Sequence, residues 1–115
     1  MSEIKNDAKE PSEDHEQMMF VQWFRCTYPD VRIFAIPNGG ARHPAVAAKL
    51  KATGVSSGVP DLCIPAWGVW IEMKRVKSGS TSAEQKSWLA YLASAGYKTA
   101  VCHGFESAKR FVQSL

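Results

Sequence analysis

The apolar residues of this chain fall into blocks of two different periods. From His15 to Thr27, Met19, Phe20, Trp23 and Phe24 recur at three- and four-residue spacing, which predicts an amphipathic helix that stops before Pro29. The β-branched and aromatic run VRIFAI, Val31 to Ile36, predicts a strand, and the PNGG that follows breaks it. A second helix fits His43 to Thr53, with Pro44 at its first position and Gly54 as its stop. SGVPDLCIPAWGVWIEMKR, from Ser57 to Arg75, then reads as a hairpin, followed by the polar loop VKSGSTS. A third helix runs from the capping Ser82 to Gly96, KTAVCH is a further strand, and FESAKRFVQSL is a terminal helix. The order is helix, strand, helix, hairpin, helix, strand, helix, which predicts an α/β fold: a mixed sheet covered by helices on its faces.

Residues 1–14 lack apolar periodicity and read as a flexible acidic tail, leaving one domain over residues 15–115. The tail carries five acids and two bases, so the remainder holds six acids and twelve bases, a net charge of +6. Such a surface suits a polyanion, although basic faces are also often merely solvated. Cys26, Cys63 and Cys102 are odd in number and widely spaced, which fits small core residues in a reducing compartment without disulfides or a zinc cluster. No secretory signal or membrane span is apparent, and a cytoplasmic setting, in a bacterium or a phage-infected host, is expected.

The hairpin contains the chemistry. On Val69 to Arg75, Val69, Ile71 and Met73 face one way while Trp70, Glu72 and Lys74 face the other. If Pro65 and Gly68 close the turn, the antiparallel register sets Asp61 opposite Glu72. A one-residue slip would send Asp61 to the other face, leaving an ordinary exposed strand pair and a turn aspartate. In the first register the two carboxylates repel unless a cation lies between them, and a hard divalent ion such as Mg²⁺ answers that need. Lys74 can then meet an anionic oxygen or orient a water.

Glu16 shares the apolar helix face with Met19, Phe20 and Trp23; it either points inward to a metal or frays into water while favouring the helix dipole. Gln85 lies on the stripe of Trp88, Leu89 and Leu92, yet Ser82 and Gln85 also have capping-box spacing, and both readings stay open. Gly54 and Gly58 bracket a loop that lets the backbone approach a bulky partner; it lacks the lysine of a phosphate-binding P-loop, so no nucleotide cofactor is expected. His15, His43 and His103 match no ligand spacing. Trp67, at the hairpin tip, and Trp70 suit a dimer interface or stacking on an unpaired base, and Trp70 suits core packing better.

GVPD, followed eleven residues after Asp61 by EMK, resembles the PD…ExK signature of restriction-endonuclease-like nucleases. With PNGGAR, KLKATGVSSGVPDL, WIEMKR, the serine-rich loop and EQKSWLAYLASAGY in this order, the chain resembles the VRR-NUC (virus-type replication-repair nuclease) family. The resemblance implies an αβββαβ core and Mg²⁺- or Mn²⁺-dependent hydrolysis of DNA. It implies metal ligation by Asp61, Glu72 and the carbonyl of Met73, a catalytic Lys74, and site roles for Glu16 and Gln85. Short members are associated with homodimers that cut branched DNA, so a dimeric four-way-junction resolvase is the favoured activity. The alternatives are a flap or nicking nuclease working with a phage replication or packaging partner, and a non-catalytic DNA-binding module. Arg42, Lys49, Lys51, Arg75, Lys77 and Lys86 are candidate phosphate contacts, each equally readable as a solvated charge.

Overall fold

A computed structural model describes residues 10–37 and 43–115. The elements are α1 (Glu13–Thr27), β1 (Phe34–Ala35), α2 (Pro44–Ala52), β2 (Leu62–Ile64), a 3₁₀ turn (Pro65–Trp67), β3 (Val69–Lys74), α3 (Ala83–Ser94), β4 (Lys98–His103) and α4 (Phe105–Gln113). They form one four-stranded sheet in the order β1-β2-β3-β4. β1 and β2 are antiparallel, as are β2 and β3, while β4 joins β3 in parallel through the α3 crossover. The expected α/β architecture with a mixed sheet is present.

α1 starts earlier than its apolar spacing suggests. Ser12 caps it by accepting the His15 N–H at 3.1 Å, and Glu13, Asp14 and Glu16 in the first turn complement the helix dipole. Glu13 and Asp14, expected to be tail, are therefore already helical. Phe20 and Phe24 are fully buried against Val69, Ile71 and Met73 of β3 and Ala108 and Val112 of α4. Burying one such side chain contributes about 1.5–3 kcal/mol. Trp67, at the hairpin tip, stacks edge-on against Phe24 and Tyr28 at 5.3 and 5.0 Å between ring centres, so it belongs to this core. Trp70 packs edge-on with Tyr97 on the opposite face.

β1 is only two residues long and both are exposed, although VRIFAI reads as a longer strand. As an edge strand it has a single neighbour, and the pairing is prolonged by the Ile36 N–H, which donates to the Asp61 carbonyl at 2.8 Å. α2 has Pro44 at its first position as expected, with the His43 side chain as its cap, but none of its residues is buried. Cys63 and Cys102 are core residues, whereas Cys26 is exposed on α1, contrary to the expectation for all three. Burial pushes the Cys63 thiol up and the Cys102 thiol up to about 11, leaving both poor nucleophiles. Among the described residues no helix is long and apolar enough to cross a membrane.

Candidate active site

The hairpin adopts the register that faces its two carboxylates. β2 pairs Leu62 with Ile71, Cys63 with Trp70 and Ile64 with Val69, so the next rung sets Asp61 opposite Glu72. The turn that fixes this register is Pro65–Trp67, closed by Gly68 at φ +64°, a left-handed conformation that glycine adopts without penalty. Pro60 is fully buried just before Asp61 and holds the entry to the strand. Gly58, at φ +89°, lies so close to α3 that an added Cβ would sit 2.6 Å from the Glu84 backbone. The close approach expected of this loop is thus made to the protein's own helix.

Asp61 Oδ2 accepts the Met73 N–H at 2.8 Å. A strand residue's N–H and C=O leave on the same edge, so the Met73 carbonyl faces the Asp61 side as well. Glu72 is 1% exposed and Lys74 6% exposed, both inside the protein. Lys74 Nζ lies 3.7 Å from Glu72 Oε2 and donates to Gln85 Oε1 at 3.0 Å. Gln85 Nε2 donates to Glu72 Oε2 at 2.9 Å. The same Gln85 Oε1 accepts the Ser82 N–H at 2.9 Å, and Ser82 Oγ accepts the Gln85 N–H at 3.1 Å. The two readings of Gln85 are therefore both realised: one carboxamide closes the capping box of α3 and ties Lys74 to Glu72.

The third carboxylate is Glu13, which the sequence reading missed. Glu13, Asp61 and Glu72 offer oxygens that all lie within 4.8 Å of one another. Glu16, expected there, is buried one turn further along and accepts the Phe105 N–H at 2.7 Å through Oε1. The available signal was the i, i+3 spacing of Glu13 and Glu16, which puts both on one helix face; ending the tail at Asp14 hid it.

The carboxylates disfavour one another's charge. Burial, then the Asp61 charge, pushes Glu72 up to about 8, with Lys74 opposing. Burial raises Asp61, opposed first by the Met73 N–H, and burial followed by the Asp61 charge raises Glu13. Glu72 Oε1 is buried with no hydrogen-bond partner among the described residues. An unpartnered carboxylate oxygen beside two further carboxylates is a donor set of hard oxygens, the kind that Mg²⁺ and Mn²⁺ take.

Of the candidate phosphate contacts, Arg75 and Lys77 are exposed just beyond β3, Lys86 is exposed on α3, and Lys49 and Lys51 are exposed in the last turns of α2. The Lys77 N–H donates to Glu10 at 3.3 Å. Arg42 lies outside the described residues, as does Asn38 of the PNGGAR stretch. Two histidine rings have structural partners: His43 Nδ1 accepts the Ala45 N–H, and His103 Nδ1 meets the Arg75 carbonyl.

The fold and the carboxylate-bearing hairpin with its lysine define a nuclease of the PD-(D/E)xK type. Comparison narrows this: the profile of the VRR-NUC domain matches residues 2–106, and the chain belongs to that family. A solved structure described as a VRR_NUC domain protein superposes with a TM-score of 0.78 at 28% identity, covering 92% of this chain and 88% of its own. No curated protein matches significantly. By family, the chain is a nuclease domain whose substrate is DNA.

Proposed function

We propose that the protein is a metal-dependent, structure-specific endonuclease that resolves four-way DNA junctions as a homodimer. The observation that carries the metal dependence is Glu72 Oε1, buried and without a hydrogen-bond partner among the described residues, on a carboxylate that clusters within 4.8 Å with those of Glu13 and Asp61. Asp61, Glu72 and Glu13 would hold a Mg²⁺ or Mn²⁺ ion, joined by the Met73 carbonyl. Bound there, the ion supplies Lewis-acid polarisation of a phosphoryl oxygen and lowers the pKa of a water.

The chain's own groups complete the reading. Lys74, held by Gln85, would donate to a non-bridging phosphate oxygen or orient the attacking water beside it. Gln85 keeps the Lys74 ammonium and the Glu72 carboxylate in a fixed relation, so neither turns away before substrate arrives. Arg75, Lys77 and Lys86, near the mouth of the site, and Lys49 and Lys51 on α2 would follow phosphates. The described residues form a single sheet flanked by helices, which carries the candidate site. Branch recognition would then come from shape and from two sites related by a two-fold axis.

The test is incubation with Mg²⁺ or Mn²⁺ and labelled four-way junctions, flaps, splayed arms and plain duplex, alongside Lys74→Ala. Paired symmetric cuts in the junction, absent from the variant, are the expected result. Cutting confined to flaps or nicked duplex would replace the resolvase reading with the flap reading. Junction binding without cleavage under either metal would leave a DNA-binding module.

A further inference from the structure

Glu16 is a buried carboxylate that the hydrolytic site does not use. Its Oε1 accepts the N–H of Phe105, the first residue of α4, at 2.7 Å. The N-cap of α4 is Gly104, which has no side chain to cap with, so the carboxylate arriving from α1 meets an otherwise uncapped N–H and the positive end of the helix dipole. The approach is tight: Gly104 has φ +95°, and a Cβ there would lie 3.2 Å from Glu16 Oε1 and 2.6 Å from Val76 Cγ2. On its other side the Gly104 N–H donates to the carbonyl of Lys74 at 2.9 Å. One short path thus runs from Glu16 through the β4–α4 turn to the end of the strand that carries Glu72 and Lys74.

Glu13 lies three residues before Glu16 on the same helix face, about 4.5 Å back along the axis. A slip of α1 by a single residue would move Glu13 by about 1.5 Å along the axis and turn it by about 100°. That would take it away from Asp61 and Glu72. Within the metal-site reading above, on which this inference rests, we propose that Glu16 is a positioning residue: its bond to Phe105 sets the rotation and height of α1, and so delivers the Glu13 carboxylate to the site.

Isothermal titration of Mn²⁺ into wild type, Glu16→Gln, Glu16→Asp and Glu13→Gln tests this, with thermal melts confirming that each is folded. Glutamine keeps an oxygen at the same reach for the Phe105 N–H but carries no charge, whereas aspartate keeps the charge and is one methylene too short. A positioning role therefore predicts that Glu16→Gln binds Mn²⁺ within a few fold of wild type. Glu16→Asp should weaken binding about tenfold or more, as misplacing a ligand's support does, and Glu13→Gln should weaken it at least as much. The opposite order, with aspartate better than glutamine, would make Glu16 itself a ligand and overturn the proposal. Wild-type affinity in Glu16→Asp would confine Glu16 to stabilising the α1–α4 contact and overturn it equally, with the metal site intact. Failure of wild type to bind Mn²⁺ would overturn the metal site and this inference together.

Discussion

Gln85 donates its carboxamide N–H to Glu72 at 2.9 Å from the first turn of the very helix that it caps. A residue of the site is thereby also a residue of the helix terminus, and folding of α3 and orientation of Glu72 are one event. Gln85→Ala removes three side-chain hydrogen bonds together, to Ser82, Lys74 and Glu72. The expected loss is about 1 kcal/mol of stability from the cap and about 10- to 100-fold in DNA cleavage from the misplaced Lys74 and Glu72. Chemical denaturation and single-turnover cleavage measure the two separately. A cleavage loss no larger than that of Ser82→Ala, which breaks the cap alone, would show that the contacts with Lys74 and Glu72 do not matter to turnover.

The carboxylate site predicts an unusual pH dependence of the metal-free protein. Glu72 is held up to about 8 in the folded chain, against an ordinary 4.5, because burial and the Asp61 charge oppose its ionisation. The folded state therefore binds this proton more tightly than the unfolded state. Its contribution to stability is complete below pH 4.5 and is lost as pH rises through about 8. In EDTA the melting temperature should fall across that window, and Mn²⁺ should restore it most at the alkaline end, where the carboxylates are ionised. Asp61→Asn keeps an oxygen for the Met73 N–H while removing the charge. It should be about 1 kcal/mol more stable than wild type at pH 8 in EDTA, flatten the pH slope, and gain nothing from Mn²⁺. Differential scanning calorimetry at pH 5 and pH 8 decides this; an equal slope in both proteins would refute it.

The hairpin was legible because the period of two in VWIEMK and the Pro65 and Gly68 turn residues admit few registers, and the one adopted is fixed by keeping Val69, Ile71 and Met73 in the core. Glu13 was not legible for the opposite reason. A helix start is set by its cap, here Ser12, and the apolar spacing from Met19 onward says nothing about how many turns precede it. Of the two readings open for Glu16 the structure realises the inward one, but what a buried carboxylate meets is a tertiary fact, and its partner lies 89 residues away in sequence. The shortness of β1 and the exposure of Cys26 likewise depend on which neighbours an element has.

Gly58 is predicted to be intolerant of substitution even though it touches no charged group of the site. In Gly58→Ala the new methyl would meet the Glu84 backbone at 2.6 Å in a φ +89° conformation that side chains rarely adopt. Backbone against backbone cannot give way as a flexible side chain can, so a destabilisation of about 1–3 kcal/mol is expected. Because this loop leads through Pro60 into Asp61, Mn²⁺ affinity should fall with it. Gly54→Ala, where nothing lies within 4 Å, should keep the Mn²⁺ affinity of wild type, so urea denaturation and Mn²⁺ titration of the pair separate strain at φ > 0 from the clash.

α2 presents the clearest charge test. The helix buries no residue, carries no acid in its first turn and places Lys49 and Lys51 in its last, directly before the loop to Asp61. A helix with no face against the core gains little from packing, and its basic end is free to meet phosphates. If it follows the DNA backbone, Lys49→Ala and Lys51→Ala should each weaken junction binding alike for junctions of different sequence, and each should lower the slope of log affinity against log salt by about one. The single-turnover rate at saturating protein should stay near that of wild type, since neither lysine belongs to the carboxylate site. Fluorescence anisotropy over a salt series reads the slope directly. An unchanged slope in the double variant would remove α2 from the DNA surface and leave Arg75, Lys77 and Lys86 to account for the salt dependence.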